Sequence, residues 1–289
     1  MTIDRPIFIL GSGRSGTTIL NYLLSMHPDL CWTSNISLRL PYVPFAPVTQ
    51  RVLDMGEMGW RERAKVISRK TGALHVSPVE AKSIYDKIGL RRDILLTEDH
   101  YTSEIDKRFR KVIERHLFWS GKPRFVSKET SNNQRYRLLN RIFPDAIFIH
   151  LVRDGRAVAN SIQNKNWLPV LDLWWTGNKA VDHVKEYDNP IQLIGDHWKH
   201  NVEELLHAKE LAPGRYIELH YEELIDDVHG VLRRIVDFAG LRASEKFISI
   251  LPETLPNMNE KWRTDLTAEQ ISALQKIIGP ELQKLGYEA

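Results

Sequence analysis

FILGSGRSGTTIL, residues 8–20, joins a run of apolar residues to an amphipathic segment through a loop that contains Gly11, Gly13 and Gly16. In such a strand-to-helix turn, successive backbone N–H groups and the start of the helix together attract an anion. The spacing matches the loop that cradles nucleotide phosphates, in which a lysine and then serine or threonine follow the last glycine. Threonines stand at 17 and 18 instead, so the lysine is missing, and Arg14 places a fixed charge inside the loop.

We therefore predict that this loop binds a phosphate or sulfate group. The arginine adds a permanent cation, and hydroxyl donors surround it. These donors are Ser12, Ser15, Thr17 and Thr18. The alternative is a tight turn that needs its glycines for backbone geometry alone.

Short apolar runs alternate with amphipathic segments along the chain, and this alternation is typical of a mostly parallel sheet covered by helices. The strand candidates are 7–10, 124–128, 146–152 and 215–221. The helix candidates are 17–27, 132–143, 198–211 and 227–241. We predict one domain over residues 1–289, with a three-layer α/β/α fold like that of the nucleotide kinases.

Two stretches interrupt the alternation, at about 35–60 and 163–197. Long irregular segments of this kind often carry function. The second contains Trp174 and Trp175, whose flat faces suit an acceptor pocket; because they are adjacent, only one of them is expected to face it. Core packing is the alternative, and it is the one we expect for Trp198.

The composition restricts the class of protein. The 289 residues carry a formal net charge of +3, from 40 basic and 37 acidic residues, and this balance gives no support for nucleic acid as a partner. Cys31 is the single cysteine, so an intrachain disulfide and a cysteine metal cluster are both excluded. Neither a leader sequence nor an apolar run long enough to span a membrane is evident. We expect a cytoplasmic protein without a transmembrane segment.

A second motif lies in FIHLVRDGRAVANSI, residues 148–162. Arg153 falls at the carboxyl end of a buried strand, where ligands bind in open α/β sheets. Ser161 follows it by eight residues, on the helix that begins near Asp154. The arginine is therefore placed to hold an anion; the alternative is an ion pair with Asp154 at the edge of the sheet.

Together, the two motifs resemble those of the sulfotransferases that use 3′-phosphoadenosine 5′-phosphosulfate (PAPS) and release 3′,5′-diphosphoadenosine. The stretches HPDL, IFPDAIFIHLVRDGRAVANSI, LHYEELIDDVHGVLRRIVDFAGL and KWRTDLT extend the likeness over nearly the whole chain, as in bacterial members. The resemblance implies that the first loop holds the 5′-phosphosulfate and that Arg153 and Ser161 hold the 3′-phosphate. It also implies that no metal is required.

The same resemblance implies roles for residues nearer the C-terminus. Tyr221 is expected near the adenine, and Lys261, Trp262 and Arg263 correspond to a segment that closes over the cofactor. The Arg-Lys-Gly triplet of the cytosolic animal enzymes is absent here. A buried hydrophobic anchor is an equally good interpretation of Trp262.

Lys128, in RFVSKET, resembles the catalytic lysine of the family, which stabilises the bridging oxygen as the sulfuryl group leaves. Negative charge builds on the departing phosphate, and a cation has to meet it. Arg14 is expected to share that role. The alternative for Lys128 is a solvated lysine at the end of a strand.

The general base is the weakest part of the resemblance. The positions that carry histidine or glutamate in relatives hold Thr130 here, and Ser34 with Asn35. The remaining candidates are Glu98, Asp99 and His100 in LLTEDHY, and Glu129 beside the lysine. Alternation along the strand turns Glu129 away from the face that the lysine uses. We therefore favour Glu98 or Asp99, with His100 behind them; for each, a loop charge is the alternative.

Two other functions remain open at this stage. A small-molecule or nucleotide kinase would require a lysine at position 17 and a carboxylate for magnesium. A non-catalytic nucleotide-binding relative would explain the missing base.

The histidines, including His75 and His150, show no metal-binding spacing and are interpreted as structural. The acceptor is open among small molecules, glycans, lipids and peptides, and so is the oligomeric state.

Overall fold

The computed structural model describes residues 2–39, 45–51 and 76–288, and its centre is a five-stranded parallel sheet. The strands of the described residues are β1 (Ile7–Leu10), β2 (Leu30–Trp32), β3 (Arg124–Lys128), β4 (Ile147–Val152), β5 (Asp172–Leu173), β6 (Asn178–Lys179) and β7 (Tyr216–His220). Their order in the sheet is β2-β3-β1-β4-β7, while β5 and β6 pair separately as an antiparallel hairpin. The predicted sheet is confirmed.

Helices cover both faces of this sheet. They are α1 (Thr17–Leu24), α2 (Asn35–Arg39), α3 (Lys82–Lys87), α4 (Ser103–Ser120), α5 (Tyr136–Ile142), α6 (Gly155–Ile162), α7 (Ala180–His183), α8 (Pro190–Leu211), α9 (Tyr221–Asp226), α10 (Val228–Ala239), α11 (Glu245–Ser249), α12 (Trp262–Asp265) and α13 (Ala268–Lys284). The predicted three layers are therefore present.

Alternation along β1 divides the core between the two faces of the sheet. Ile7 and Ile9 are buried on one face, in an apolar cluster with α1, α9 and α10. Phe8 and Leu10 are buried on the other, in a second cluster with α4, α5 and part of α8. Because side chains alternate with a period of two, a continuous apolar strand reaches both layers at once.

A third apolar cluster fixes the C-terminal helices over the end of β4. Trp198 of α8 is buried at its centre, as expected, against α6 and α13. A Cβ atom on Gly155 would lie 2.9 Å from the indole, so a glycine at this position lets α6 pack directly on the ring. The first turn of α6 is thereby held beside the carboxyl end of β4.

The structure differs from the predicted elements in identifiable ways. The predicted helix 132–143 begins as a 3₁₀ segment, Thr130–Arg135, and only then becomes α5. The predicted helix 198–211 starts eight residues earlier, at Pro190, where the Asn189 side chain caps α8. Strand β2 has only three residues and was missed, as were α4 and α13. Of the segment at 35–60, residues 40–44 and 52–60 lie outside the described residues, as does His75.

Candidate functional site

The carboxyl ends of β1, β3 and β4 open into one cavity of about 1220 Å³. The strands are parallel neighbours, so the loops that follow them converge at this edge. The phosphate-loop end of the cavity is lined by Gly13, Arg14, Gly16, Thr17, Thr18, Ile19, Tyr22, Arg153, Ile162 and Tyr221. The rest of the cavity wall is formed by Ser77, Pro78, Glu80, Lys82, Arg92, Lys128, Thr130, Ser131, Gln134, Trp167, Val170, Leu171, Asp172, Trp174, Lys179, His197 and Asn201.

The glycine-rich loop leaves Leu10 through a conformation that only glycine tolerates well. Gly11 has φ +146°, and a Cβ atom there would lie 2.6 Å from the Leu151 carbonyl oxygen. Its N–H donates to Oδ1 of Asn133 at 2.9 Å, and Asn133 in turn donates to Oδ1 of Asn201. The entry of the loop is therefore anchored to the chain that follows β3 and to α8.

The loop ends with unused hydrogen-bond donors. Gly16 begins α1 in a left-handed conformation, and no side chain of the described residues caps this helix start. Within the same part of the chain, no acceptor is recorded for the backbone N–H groups of Gly13, Arg14, Gly16, Thr17 and Thr18. Free N–H groups at a helix start are the arrangement that binds phosphate.

The predicted hydroxyl donors of the loop fall into two groups. Thr17 and Thr18 line the cavity. Ser12 and Ser15 are buried, and their hydroxyls lie 2.8 Å apart, in a hydrogen bond with each other. These two serines therefore stabilise the turn itself.

Two arginines join the first motif to the second. Nε of Arg14 donates to Oγ of Ser161 at 2.9 Å, and Nη1 of Arg153 donates to the carbonyl oxygen of Arg14 at 2.9 Å. Nε of Arg153 also donates to Oδ1 of Asn259 at 2.9 Å. All of these acceptors are neutral oxygens, so these bonds hold neither guanidinium in an ion pair.

Tyr221 lies against both motifs. The guanidinium carbon of Arg153 is 4.3 Å from the centre of the Tyr221 ring, which is a cation–π contact. A Cβ atom on Gly16 would overlap the same ring, which therefore packs on the bare backbone at the start of α1. The ring lines the cavity beside the loop.

The C-terminal candidates Lys261, Trp262 and Arg263 are not among the residues that line the cavity. Trp262 is buried, and it is stacked between Arg156 at 4.4 Å and Arg263 at 4.5 Å. Lys261 and Arg263 are exposed and are not among the lining residues, and Arg263 pairs with Glu260. This placement favours the interpretation of Trp262 as an anchor; the cofactor roles stay predictions.

Lys128 lies at the end of β3 in the cavity wall, where it is 6% exposed and forms an ion pair with Glu80. The other oxygen of Glu80, Oε2, is 3.0 Å from Nζ of Lys82. Burial acts to raise the pKa of Glu80, and the charges of Lys128 and Lys82 outweigh burial, so the pKa lies below its ordinary value. The interpretation of Lys128 as a solvated lysine is therefore wrong.

Glu129 is buried behind this pair and does not line the cavity. Neither carboxylate oxygen has a hydrogen-bond partner among the described residues. Burial, followed by the charge of Glu80, raises its pKa to about 7, against the opposing effects of Arg135, Lys82 and Lys128. The expectation that it faces away from the cavity agrees with this position.

Glu98 and Asp99 lie in an exposed 3₁₀ turn, Glu98–His100, which is closed by hydrogen bonds between Thr97 and His100. None of these three candidate bases lines the cavity. Their role as general bases stays a prediction, and this placement lends it no support.

The segment 163–197 supplies an aromatic wall at the mouth of the cavity. Trp167 is 41% exposed and Val170 63% exposed, and both line the cavity together with Trp174. Trp175 points elsewhere and stacks on His200 at 4.4 Å. As predicted, only one of the adjacent tryptophans faces the cavity.

The sequence analysis missed Glu80, Asn133 and Asn201. Glu80 precedes the short helix α3 in a stretch without a recognisable motif, and only folding brings it to Lys128. For Asn133, the available signal was the pair of consecutive asparagines at 132 and 133, shortly after the predicted strand 124–128.

The described part of the chain contains no helix with the length and apolar character that crossing a membrane requires.

Comparison with known proteins gives a consistent result. The sequence pattern of the sulfotransferase family matches residues 6–245. An uncharacterized protein of Aquifex aeolicus is 28% identical over 244 residues, which is 82% of this chain but only 26% of that protein. Omega-hydroxy-beta-dihydromenaquinone-9 sulfotransferase Stf3 of Mycobacterium bovis is 24% identical over 306 residues, covering 99% of this chain and 76% of that protein.

Among solved structures, sulfotransferase STF9 from Mycobacterium avium superposes with a TM-score of 0.66 at 21% identity, covering 100% of this chain and 78% of that chain. The likeness extends over the whole chain and supports the fold described above.

Glu129 yields a prediction about stability and pH. Its pKa is raised from 4.5 to about 7 in the folded state, so the stability that its proton contributes is present below pH 4.5 and is lost as the pH rises through about 7. Glu129→Gln stays neutral throughout. The variant should therefore match the wild type near pH 4.5 and exceed its free energy of unfolding by roughly 1–3 kcal/mol at about pH 8.

Urea unfolding across this pH range measures the difference. Glu98→Gln, which removes an exposed carboxylate, is the control and should follow the wild-type curve. If the free energies of unfolding of Glu129→Gln and the wild type differed by the same amount at every pH, the raised pKa of Glu129 would be contradicted.

Proposed function

Because the chain belongs to the sulfotransferase family, we propose that it transfers a sulfuryl group from PAPS to a hydroxyl or amine of an acceptor. The observation that carries the proposal is the junction of the two motifs, in which Arg14 bonds to Ser161 and Arg153 bonds to the Arg14 backbone. Two anion sites are thereby held at a fixed separation, as a donor with a 5′-phosphosulfate and a 3′-phosphate requires.

The chemistry of the donor set fits PAPS. The unused N–H groups at the start of α1, with Thr17 and Thr18, suit the 5′-phosphosulfate. Arg153 and Ser161 suit the 3′-phosphate, and the Tyr221 ring, which lines the cavity, suits the adenine. An ATP-type site would place a lysine at position 17 to reach a third phosphate, and threonine stands there.

Lys128 and Arg14 are proposed as the catalytic cations. Both line the same cavity, and Lys128 ends β3, which is the neighbour in the sheet of the strand that leads into the loop. When the sulfuryl group moves, negative charge develops on the phosphate oxygen that it leaves, and a positioned cation lowers the energy of that state. The proposal needs no metal ion, because these side chains supply the positive charge.

The cavity exceeds the roughly 300–1,000 Å³ of a typical ligand site, so it has room for donor and acceptor together. Trp167, Val170 and Trp174 form an apolar and aromatic part of the cavity wall. Such a wall suits an acceptor whose hydroxyl or amine is attached to an apolar or aromatic body. The name of the relative Stf3, a sulfotransferase of a hydroxylated dihydromenaquinone, agrees with this acceptor class.

We further propose that one domain carries the whole site and that the protein works in the cytoplasm. Its single cysteine, Cys31, is buried and free, which is consistent with a reducing compartment.

The proposal is tested by calorimetric titration with 3′,5′-diphosphoadenosine, run beside ADP and ATP. The diphosphate should bind most tightly, because it alone places phosphates at both anion sites. Preference for ATP that is strengthened by magnesium would overturn the proposal in favour of a kinase.

Arg153→Ala should weaken binding of 3′,5′-diphosphoadenosine by about ten- to a hundredfold, the value of a charge-assisted hydrogen bond. ADP lacks the 3′-phosphate, so the substitution should weaken the binding of ADP much less. Arg233→Ala is the control, since that arginine is exposed and pairs with Glu245. Equal losses for the two nucleotides would remove Arg153 from the 3′-phosphate site.

Lys128→Met should keep the affinity for the diphosphate within severalfold of wild type and lower turnover by about 10²–10³-fold, because the leaving oxygen loses its cation. Release of 3′,5′-diphosphoadenosine from PAPS measures turnover, and the unfolding temperature checks that the variant is folded. Turnover at the wild-type rate would exclude Lys128 from the mechanism.

A further inference from the structure

Lys128 is engaged by a carboxylate in the structure, and this carboxylate faces the site of the reaction. Glu80 bonds to Lys128 through one oxygen and to Lys82 through the other. All three side chains line the cavity that also holds Arg14. A carboxylate and the cation proposed for the leaving oxygen therefore share the same part of the cavity wall.

The pairing creates a competition for Lys128. An ammonium group that meets a departing phosphate oxygen has to loosen its bond to Glu80. A lysine permits this exchange, since its charge sits on a flexible four-carbon stem. Lys82 stays bonded to Glu80, so the carboxylate is not left buried without a cation.

We propose that Glu80 is the general base of the reaction and that the donor draws Lys128 away from it. This inference rests on the proposed function. The acceptor oxygen forms a bond to sulfur as the bond between sulfur and the bridging oxygen breaks. The electron pair of the broken bond stays on the phosphate oxygen beside Lys128, and the proton of the acceptor passes to Glu80.

The electrostatics of Glu80 support this exchange. Burial acts to raise the pKa of Glu80, whereas Lys128 contributes the largest lowering effect and Lys82 a smaller one. When Lys128 moves away, Glu80 loses the larger of the two effects that lower its pKa. The carboxylate thus becomes a stronger base when the donor is bound. When the donor is absent, the ion pair with Lys128 keeps it a weak base.

Other titratable groups of the described cavity wall fit the role less well. Asp172 lies near the mouth, where it pairs with Lys179 and is 3.7 Å from Arg92. His197 also lines the cavity, and burial lowers its pKa to about 4; among the described residues it has no ion pair that the donor could loosen to make it a stronger base. Glu129 does not reach the cavity.

Glu80→Gln separates this role from a structural one. Removal of the carboxylate frees Lys128, so the variant should bind 3′,5′-diphosphoadenosine about three- to tenfold more tightly than wild type, as expected when a competing charge-assisted bond is lost. A merely structural carboxylate would give weaker binding on removal. Asp172→Asn, the other cavity carboxylate paired with a lysine, is the control and should leave the affinity unchanged.

Calorimetry with 3′,5′-diphosphoadenosine measures these affinities, and it requires no acceptor. Unchanged or weaker binding by Glu80→Gln, with normal binding by the wild type, overturns this inference and leaves the proposed function intact. Failure of the wild type to bind the diphosphate overturns both.

Acceptor acidity tests the proton transfer itself. With phenol as acceptor, Glu80→Gln should lose about 10²–10⁴-fold in kcat/KM, the usual contribution of a general base. With 4-nitrophenol, which is largely ionised at mildly alkaline pH, the loss should be only severalfold, because no proton remains to be removed. Glu80→Asp should restore part of the phenol activity. An equal loss with both phenols would show that Glu80 is not the base.

Discussion

The parallel pairing of β1 with β3 on one side and β4 on the other is the constraint on which the site depends. It places the glycine-rich loop between the strand that ends in Lys128 and the strand that leads to Arg153. Parallel strands open at the same edge of a sheet, so three loops distant in sequence share one cavity. The buried faces of β1 hold this arrangement, because Ile7 and Phe8 belong to different apolar layers.

Charge is distributed unevenly along this cavity. At the loop, Arg14 and Arg153 bond to neutral oxygens. At the end of β3, Lys128 is balanced by Glu80, with Glu129 protonated over part of the pH range behind them. We propose that the first region holds the phosphates of the donor and that the second exchanges partners during the reaction. Both properties follow from the oxygen atoms that each cation contacts. The two arginines contact neutral oxygens, whereas Lys128 contacts a carboxylate.

Local patterns were sufficient for most of the sheet and failed where tertiary contacts decide. β1 and β3 have the predicted bounds. β1 consists of four consecutive apolar residues, the pattern of a strand that is buried on both faces. β2 was missed because three residues give too short a pattern. The expected acidic pair, Glu98 and Asp99, illustrates the limit for the site: proximity to the lysine in the cavity is a property of the fold, and no spacing in the sequence encodes it.

The sequence by itself determined the parallel α/β class and the family, because each depends on patterns and motifs of residues close together in the chain. Tertiary structure alone decided that Ser161 bonds to Arg14, that Trp262 is buried, and that Glu80 holds Lys128. These contacts join segments separated by tens of residues or more. Their geometry is set by how helices pack on the sheet, and a one-dimensional pattern carries no record of that packing.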